Sequence, residues 1–465
     1  MTGPGPAALL RAGRVGLSAG LLVVSGMASG STNDTAPAAL LDFSAAEQSA
    51  IQRHGPWPPP PAHDAGNRWS GRPAAIVLGR QLFLDARLSP DARLACASCH
   101  DPAQDFSDGR RQPPGRDGVP LQRNSPSLWN AGQQRWLGWD GAFDSLWSQA
   151  LHPLLAPQEM ASSAAQLDTL LATDRNLARR WRQAFAGTAA HTPEARLVLA
   201  AKALGAFVAT LVSARTPFDD FRDALARGDA SAAARYPLAA QRGLRLFIGS
   251  AGCNTCHVGP LFSNGEFADI GLPFFVRPGV VGSGRHGGIA ALRASPYNLL
   301  SRWRDAGPPA TAGAAAPPAD AATKTRHLAP QHRNFGEFKV PSLRNLAGTA
   351  PYMHDGQLPT LAAVVQHYSA LDTDRLHADG EQILKPLQLH AGDQADLVAF
   401  LHSLSPVDGN RPPPPQRQGH GRDATPTMPH GQHAHQPPAV PARLPLVTGV
   451  VQGASAARLV RRPPA

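Results

Sequence analysis

Cys96-Ala97-Ser98-Cys99-His100 and Cys253-Asn254-Thr255-Cys256-His257 contain all four cysteines of this 465-residue chain. In each stretch two thiols separated by two residues are followed at once by an imidazole. This is the attachment pattern of c-type haem. Each thiol can form a thioether to one vinyl group, and the adjoining histidine then falls onto the iron. A structural zinc site draws on the same residue types, but paired Cys-x-x-Cys knuckles usually stand about 15–20 residues apart. Cys99 and Cys253 are much farther apart than that. Zinc also leaves the histidine after each pair unexplained, and cysteines three apart close only strained, redox-type bridges. The two stretches point to two covalently held haems.

The chain start indicates where such haems are added. Arg11 and Arg14 precede the apolar run from Val15 to Ala28, which ends in the small residues Ala28-Ser29-Gly30. This order predicts a secretory signal over residues 1–30. The apolar run is too short to span a bilayer, and no cysteine follows it to carry lipid. Covalent haem attachment in bacteria takes place outside the cytoplasmic membrane, so both signals predict a soluble periplasmic protein with no membrane span. The net charge of +10 is nearly all arginine, the only lysines being Lys202, Lys324, Lys339 and Lys385. An exported location and the lack of an aromatic-basic recognition motif argue against nucleic acid. A basic surface suits an acidic protein partner instead.

Residues 31–74 form a Pro-rich lead that includes Gly55-Pro56-Trp57-Pro58. Helical spacing runs from Ala75 to Asp85 toward the first haem motif and from Leu238 to Ile248 toward the second. The same helix-then-motif unit therefore occurs twice. The sequence predicts a mainly α protein with little β structure, made of two cytochrome c-like domains over 75–235 and 236–404. Ala195 to Ser213 reads as a further Ala- and Leu-rich helix. Thr360 is placed to cap a helix running through Tyr368, and Asp393 to Leu404 reads as the last helix. The segment 278–333 is an insertion of unassigned role, with Ala/Pro/Gly low complexity from Pro308 to Thr323. Residues 405–465, rich in Pro, His and Arg, read as a disordered tail.

Several further blocks follow in order. Leu78-Gly79-Arg80-Gln81-Leu82-Phe83 and Arg87-Leu88-Ser89-Pro90 precede Cys96. Arg123-Asn124-Ser125-Pro126-Ser127-Leu128, Trp139-Asp140-Gly141 and Pro157-Gln158-Glu159-Met160 follow His100. Val340-Pro341-Ser342-Leu343-Arg344-Asn345 and Ala350-Pro351-Tyr352-Met353-His354-Asp355-Gly356 follow His257. Over roughly Ala75 to Leu404 the chain resembles the bacterial dihaem cytochrome c peroxidase and MauG family.

That resemblance implies a division of labour. The haem held by His100 meets hydrogen peroxide, and the haem held by His257 passes electrons to it. Glu159 aligns with the family's distal acid, which moves a proton between the two peroxide oxygens so that the O–O bond breaks heterolytically to a ferryl species. Read without the family pattern, Glu159 is an N-terminal helix carboxylate held by the dipole. Gln149 aligns with the distal amide. Trp139 stands where the family has an indole between the haems, although Trp129, Trp136 and Trp147 lie close by in sequence. Asn124, Thr349 and Pro351 match a calcium site of hard oxygen donors.

Two departures from the peroxidase pattern stand out. Where donor-fed peroxidases place a methionine on the second iron, fourteen residues after the histidine of His-Asp-Gly, this chain has Tyr368. A thioether raises haem potential, whereas an anionic phenolate favours oxidised iron. Tyr368 as iron ligand therefore points toward the MauG-like branch, which shares oxidising equivalents as a bis-ferryl state. The distal histidine that blocks many resting peroxidases is replaced by Arg116, so the first iron is expected to be open at rest. Three functions follow as expectations. The first is reduction of peroxide with electrons from a small redox protein. The second is oxidation of residues on a partner protein. The third is plain electron carriage, which needs no Gln149–Glu159 pair.

Overall fold

The computed structural model describes residues 39–407, apart from 189, 274, 278, 306–321 and 381–382. The expected signal, nearly all of the expected tail and most of the low-complexity stretch lie outside the described residues. Thirteen α-helices are present among the described residues: α1 (Ala45–Gln52), α2 (Pro73–Leu84), α3 (Leu146–Leu155), α4 (Ala164–Thr173), α5 (Arg175–Ala184), α6 (Pro193–Val208), α7 (Pro217–Ala226), α8 (Ala230–Ala233), α9 (Leu238–Ile248), α10 (Gly284–Ala294), α11 (Thr323–Arg326), α12 (Leu361–Ser369) and α13 (Ala391–His402). Among the described residues the β-strands form two short antiparallel ribbons, one pairing Phe267 with Lys339 and the other pairing Phe275 with Val281. None of these helices is long and apolar enough to cross a membrane.

Local chemistry sets the helix starts. Pro73 and Pro193 occupy first-turn positions of α2 and α6, where a missing N–H costs nothing. Ser145, Thr192 and Thr360 cap α3, α6 and α12 through their hydroxyls. Every residue of α6 from Leu197 to Phe207 is buried, so this helix passes through a core rather than over one.

Two hydrophobic cores form, one around α2, α3 and α6, the other around α7, α9, α12 and α13. They are built alike. In the first, Gly79 of α2 meets α6 so closely that a Cβ there would lie 1.9 Å from the Ala203 carbonyl oxygen and 3.0 Å from Cβ of Phe207. In the second, Gly243 of α9 meets α13 in the same way, 1.9 Å from the Asp396 carbonyl oxygen and 2.8 Å from Cβ of Phe400. One helical turn beyond each glycine a phenylalanine tilts against the partner helix. Phe83 and Phe207 have ring centroids 5.3 Å apart, and Phe247 and Phe400 have them 4.9 Å apart. The repeat expected from the two helix-then-motif units is thus also a repeat of helix crossings.

The segment 278–333 is more than a surface loop. Arg285 of α10 donates 2.7 Å to the Gly141 carbonyl, and Thr325 of α11 donates 2.7 Å to the buried Asp144 carboxylate. Lys202 of α6, 3 % exposed, donates 2.6 Å to Asp305 in the middle of the same segment. A buried ammonium needs such a partner, so the ion pair fastens the insertion to the first core.

Candidate haem and peroxide site

Each Cys-x-x-Cys-His stretch opens on a single 3-10 turn, Cys96–Ser98 or Cys253–Thr255, and the histidine N–H closes onto the first cysteine carbonyl. Nδ1 of His100 lies 3.1 Å from the Phe106 carbonyl oxygen, and Nδ1 of His257 lies 2.8 Å from that of Phe262. A carbonyl only accepts, so Nδ1 carries the proton in both rings and Nε2 keeps the lone pair that an iron requires. Burial pushes both imidazoles below their usual values, which favours the neutral ligand form. Phe106 and Phe262 have φ of 56° and 52°, a left-handed backbone that bulky residues rarely adopt. The strain aims their carbonyls at the histidines.

The support behind these carbonyls is also duplicated. Ser127 donates 2.6 Å to the carbonyl of Asp105, next to Phe106, and Ser342 donates 2.8 Å to that of Leu261, next to Phe262. Pro126 and Pro341, each just before its serine, give their carbonyls to His100 and His257 respectively. No disulfide joins any of the four cysteines. Burial pushes Cys96 up to about 12 and Cys99 and Cys253 up to about 11. Two thiols beside each pre-oriented imidazole fit two c-type haems.

Around the second motif the chain leaves a cavity of about 920 Å³ bordered by Cys253, Cys256, His257 and Tyr368. Tyr368, on α12, is buried, and burial together with the neighbouring thiols of Cys253 and Cys256 raises its phenol well above the usual range. Without a cation it is therefore a neutral phenol, and only a metal centre would draw out the phenolate. Asn124, Thr349 and Pro351 border the same cavity. Nδ2 of Asn124 donates 2.8 Å to the Arg110 carbonyl, which leaves Oδ1 as the group able to face a cation.

Trp139 borders this cavity too, and its indole N–H donates 2.9 Å to the Asn124 carbonyl. The Asn124 N–H in turn donates 3.1 Å to the His354 carbonyl. Among the other tryptophans, Trp147 is fully buried core, and Trp136 is covered by Arg285 and Lys324 at 4.5 and 4.9 Å. Trp129 stacks edge-on with Phe106 at 4.9 Å. Trp139 and His354 hold matching places. Each sits inside a tight antiparallel bridge, Leu137 with Phe143 and Tyr352 with Leu358, followed by Asp-Gly and a capped helix. Fourteen residues past His354 is Tyr368, and fourteen past Trp139 is Pro153.

Toward the first motif lies the carboxyl of Glu159, which raises the Cys96 and Cys99 thiols further. Gln149 of α3 keeps a buried Oε1 with no hydrogen-bond partner in the protein. A buried amide oxygen of this kind suits an O–H donor from a small guest molecule. Glu159 follows α3 in a turn, four residues before Ser163, which itself caps α4. It is therefore not a helix-capping carboxylate. Burial raises its pKa, and His152, with Nε2 3.5 Å from Oε1, opposes that shift. Arg116 takes no part as a side chain; it pairs with Asp91 at 3.4 Å while its N–H holds the Gln158 carbonyl at 2.7 Å. Pro153, His152 and the accepting carbonyls of Phe106 and Phe262 are not marked by any motif above. The doubled Pro-Ser-Leu of 126–128 and 341–343 was the signal that could have located the last two.

Paired thiols and oriented imidazoles on a helical double repeat define a dihaem c-type protein. Residues 73–227 match the family described as di-haem cytochrome c peroxidase. The methylamine utilization protein MauG of Methylorubrum extorquens is 34% identical over 83% of this chain and 92% of its own length. Cytochrome-c peroxidase IdrP2 of Pseudomonas sp. strain SCT is 32% identical over 75% of this chain and 84% of its own. A crystal structure titled as a MauG-like protein associated with microbial copper homeostasis superposes with a TM-score of 0.56 at 27% identity, covering 76% of this chain and 95% of that one. The chain belongs to the di-haem cytochrome c peroxidase and MauG family. It is an oxidoreductase acting on peroxide, and its family carries two haems.

Proposed function

We propose that this protein reduces hydrogen peroxide at the haem held by His100 and receives the electrons through the haem held by His257. Export to the periplasm, read from residues 1–30, belongs to the same proposal. The observation that carries it is the unlike pair Pro153 and Tyr368 at matching places of the repeat. Proline offers no donor atom to an iron, so the first site keeps a free position beside Gln149 and Glu159. Bound haem supplies the iron on which peroxide is held and reduced. The chain does the rest. Gln149 Oε1 accepts from the peroxide O–H and orients it. Glu159, its carboxyl raised by burial, is suited both to take a proton from the near oxygen and to return it to the leaving one. Trp139 provides an aromatic step toward the second cavity. Asn124 Oδ1 with the Thr349 and Pro351 carbonyls would hold calcium at the junction, a neutral set of hard donors.

Tyr368 also supports a second reading, in which the oxidising equivalents serve a partner protein's residues rather than a small redox donor. A phenolate ligand lowers the second haem's potential, which makes that haem a poorer acceptor of donor electrons. The test is the Tyr368→Met variant. Its second haem should move to higher potential in a redox titration, and turnover with a reduced small cytochrome should rise. An unchanged potential would remove Tyr368 from the iron and with it the argument from the repeat.

A further inference from the structure

Peroxide becomes two waters by taking up two electrons and two protons, so each turnover must bring two protons from solvent to the pocket of Glu159. Gln149 cannot exchange them, because an amide neither gains nor loses a proton in this range. Glu159 meets less solvent than its neighbour, its side chain being 28 % exposed against 56 % for that of His152. Nε2 of His152 nevertheless reaches within 3.5 Å of Oε1 of Glu159. His152 lies on the last turn of α3, one turn beyond Gln149, with its ring 5.2 Å from that of Phe143 and tilted by 49°. The imidazole is thus braced on one side and wet on the other, with one nitrogen turned to the acid.

Resting on the role of Glu159 given above, we propose that His152 is the proton relay of the peroxide site. One ring nitrogen takes a proton from water while Nε2–H passes its own to Oε1 of Glu159. The imidazole returns to its starting tautomer by exchange with solvent. Two such transfers per turnover balance the two electrons. His152 acts through Glu159 and is a positioning residue for proton delivery.

The holoprotein carrying His152→Ala or His152→Gln tests this, with guaiacol as reductant. We expect kcat for peroxide to fall by roughly 10²-fold, the lower range for a positioned proton-transfer group, with KM for peroxide unchanged. Added imidazole should restore much of the loss in His152→Ala. Two measurements without turnover should match the unaltered protein: the single-mixing rate of the oxidised protein with peroxide, which needs no imported proton, and the affinity for cyanide. An unchanged kcat would reduce the contact to an ordinary surface ion pair and overturn the relay. So would parallel losses in single-mixing rate and cyanide affinity, which would mean that His152 merely holds Glu159 in place, or a lack of imidazole rescue. If Glu159→Gln leaves the single-mixing rate intact, the peroxide site itself is misassigned, and the relay falls with it.

Discussion

In the half around His100, the place fourteen residues after Trp139 of Trp-Asp-Gly is filled by Pro153; in the half around His257, the same place after His354 of His-Asp-Gly is filled by Tyr368. Nearly everything beneath these two positions is shared: the glycine crossing, the left-handed phenylalanine, the Pro-Ser-Leu clamp and the capped helix. What differs is the distal lining and the cover. The first half has Gln149, with its unpartnered buried oxygen, and Glu159, with the half-exposed His152 at 3.5 Å. The second has a buried phenol, and its cavity is bordered by Arg285, Lys324 and Arg333 of the insertion. Duplicating the scaffold holds two metal centres at little structural risk, because the proximal side is the same problem solved twice. Function then depends on a few distal side chains that the scaffold does not constrain.

The comparison breaks most severely if the halves can exchange roles. Cys96→Ala with Cys99→Ala should remove one covalent haem and abolish peroxide turnover while the haem at His257 keeps its spectrum. Haem-stained mass and turnover assays check this, and surviving activity would reverse the assignment. Glu159→Gln should keep both haems yet slow the reaction with peroxide by about 10²–10⁴-fold, the usual worth of general acid–base assistance. A loss below tenfold in stopped flow would make Glu159 a structural residue.

Two smaller effects sharpen the likeness rather than the difference. Gly79→Ala and Gly243→Ala each push a methyl group into a backbone carbonyl 1.9 Å away. Each should cost about 1–3 kcal/mol in urea unfolding of the holoprotein, the range for overpacking, and the two should be alike. A large inequality would show that the crossings are not equivalent. Ser127→Ala and Ser342→Ala each remove one hydroxyl from a backbone carbonyl. They should cost only about 1 kcal/mol each. Each should also perturb the spectrum of the haem in its own half, since the carbonyl that orients the proximal ring lies one residue away.

The amino-acid sequence by itself marks two haem-attachment stretches, because Cys-x-x-Cys-His is a local device whose chemistry is complete within five residues. It also marks the helices that carry them. Leu238–Ile248 forms over the expected residues, and the helix expected from Ala75 to Asp85 runs from Pro73 to Leu84. Ala195 to Ser213 was expected to continue five residues beyond the observed end at Val208. Helical spacing persists there, but Leu211 instead turns its carbonyl to the N–H of Asn130. Other features depend on residues far apart in the chain. Asn124 joins Trp139 to His354, and Lys202 fastens Asp305. None of these partners is marked by spacing or composition. The kinship of Pro153 and Tyr368 was written in the sequence as two equal intervals, yet Pro153 has no ligand atom to attract notice. Only the matching bridges and caps of the folded chain make the pair visible, because equivalence between distant segments is a property of shared backbone geometry.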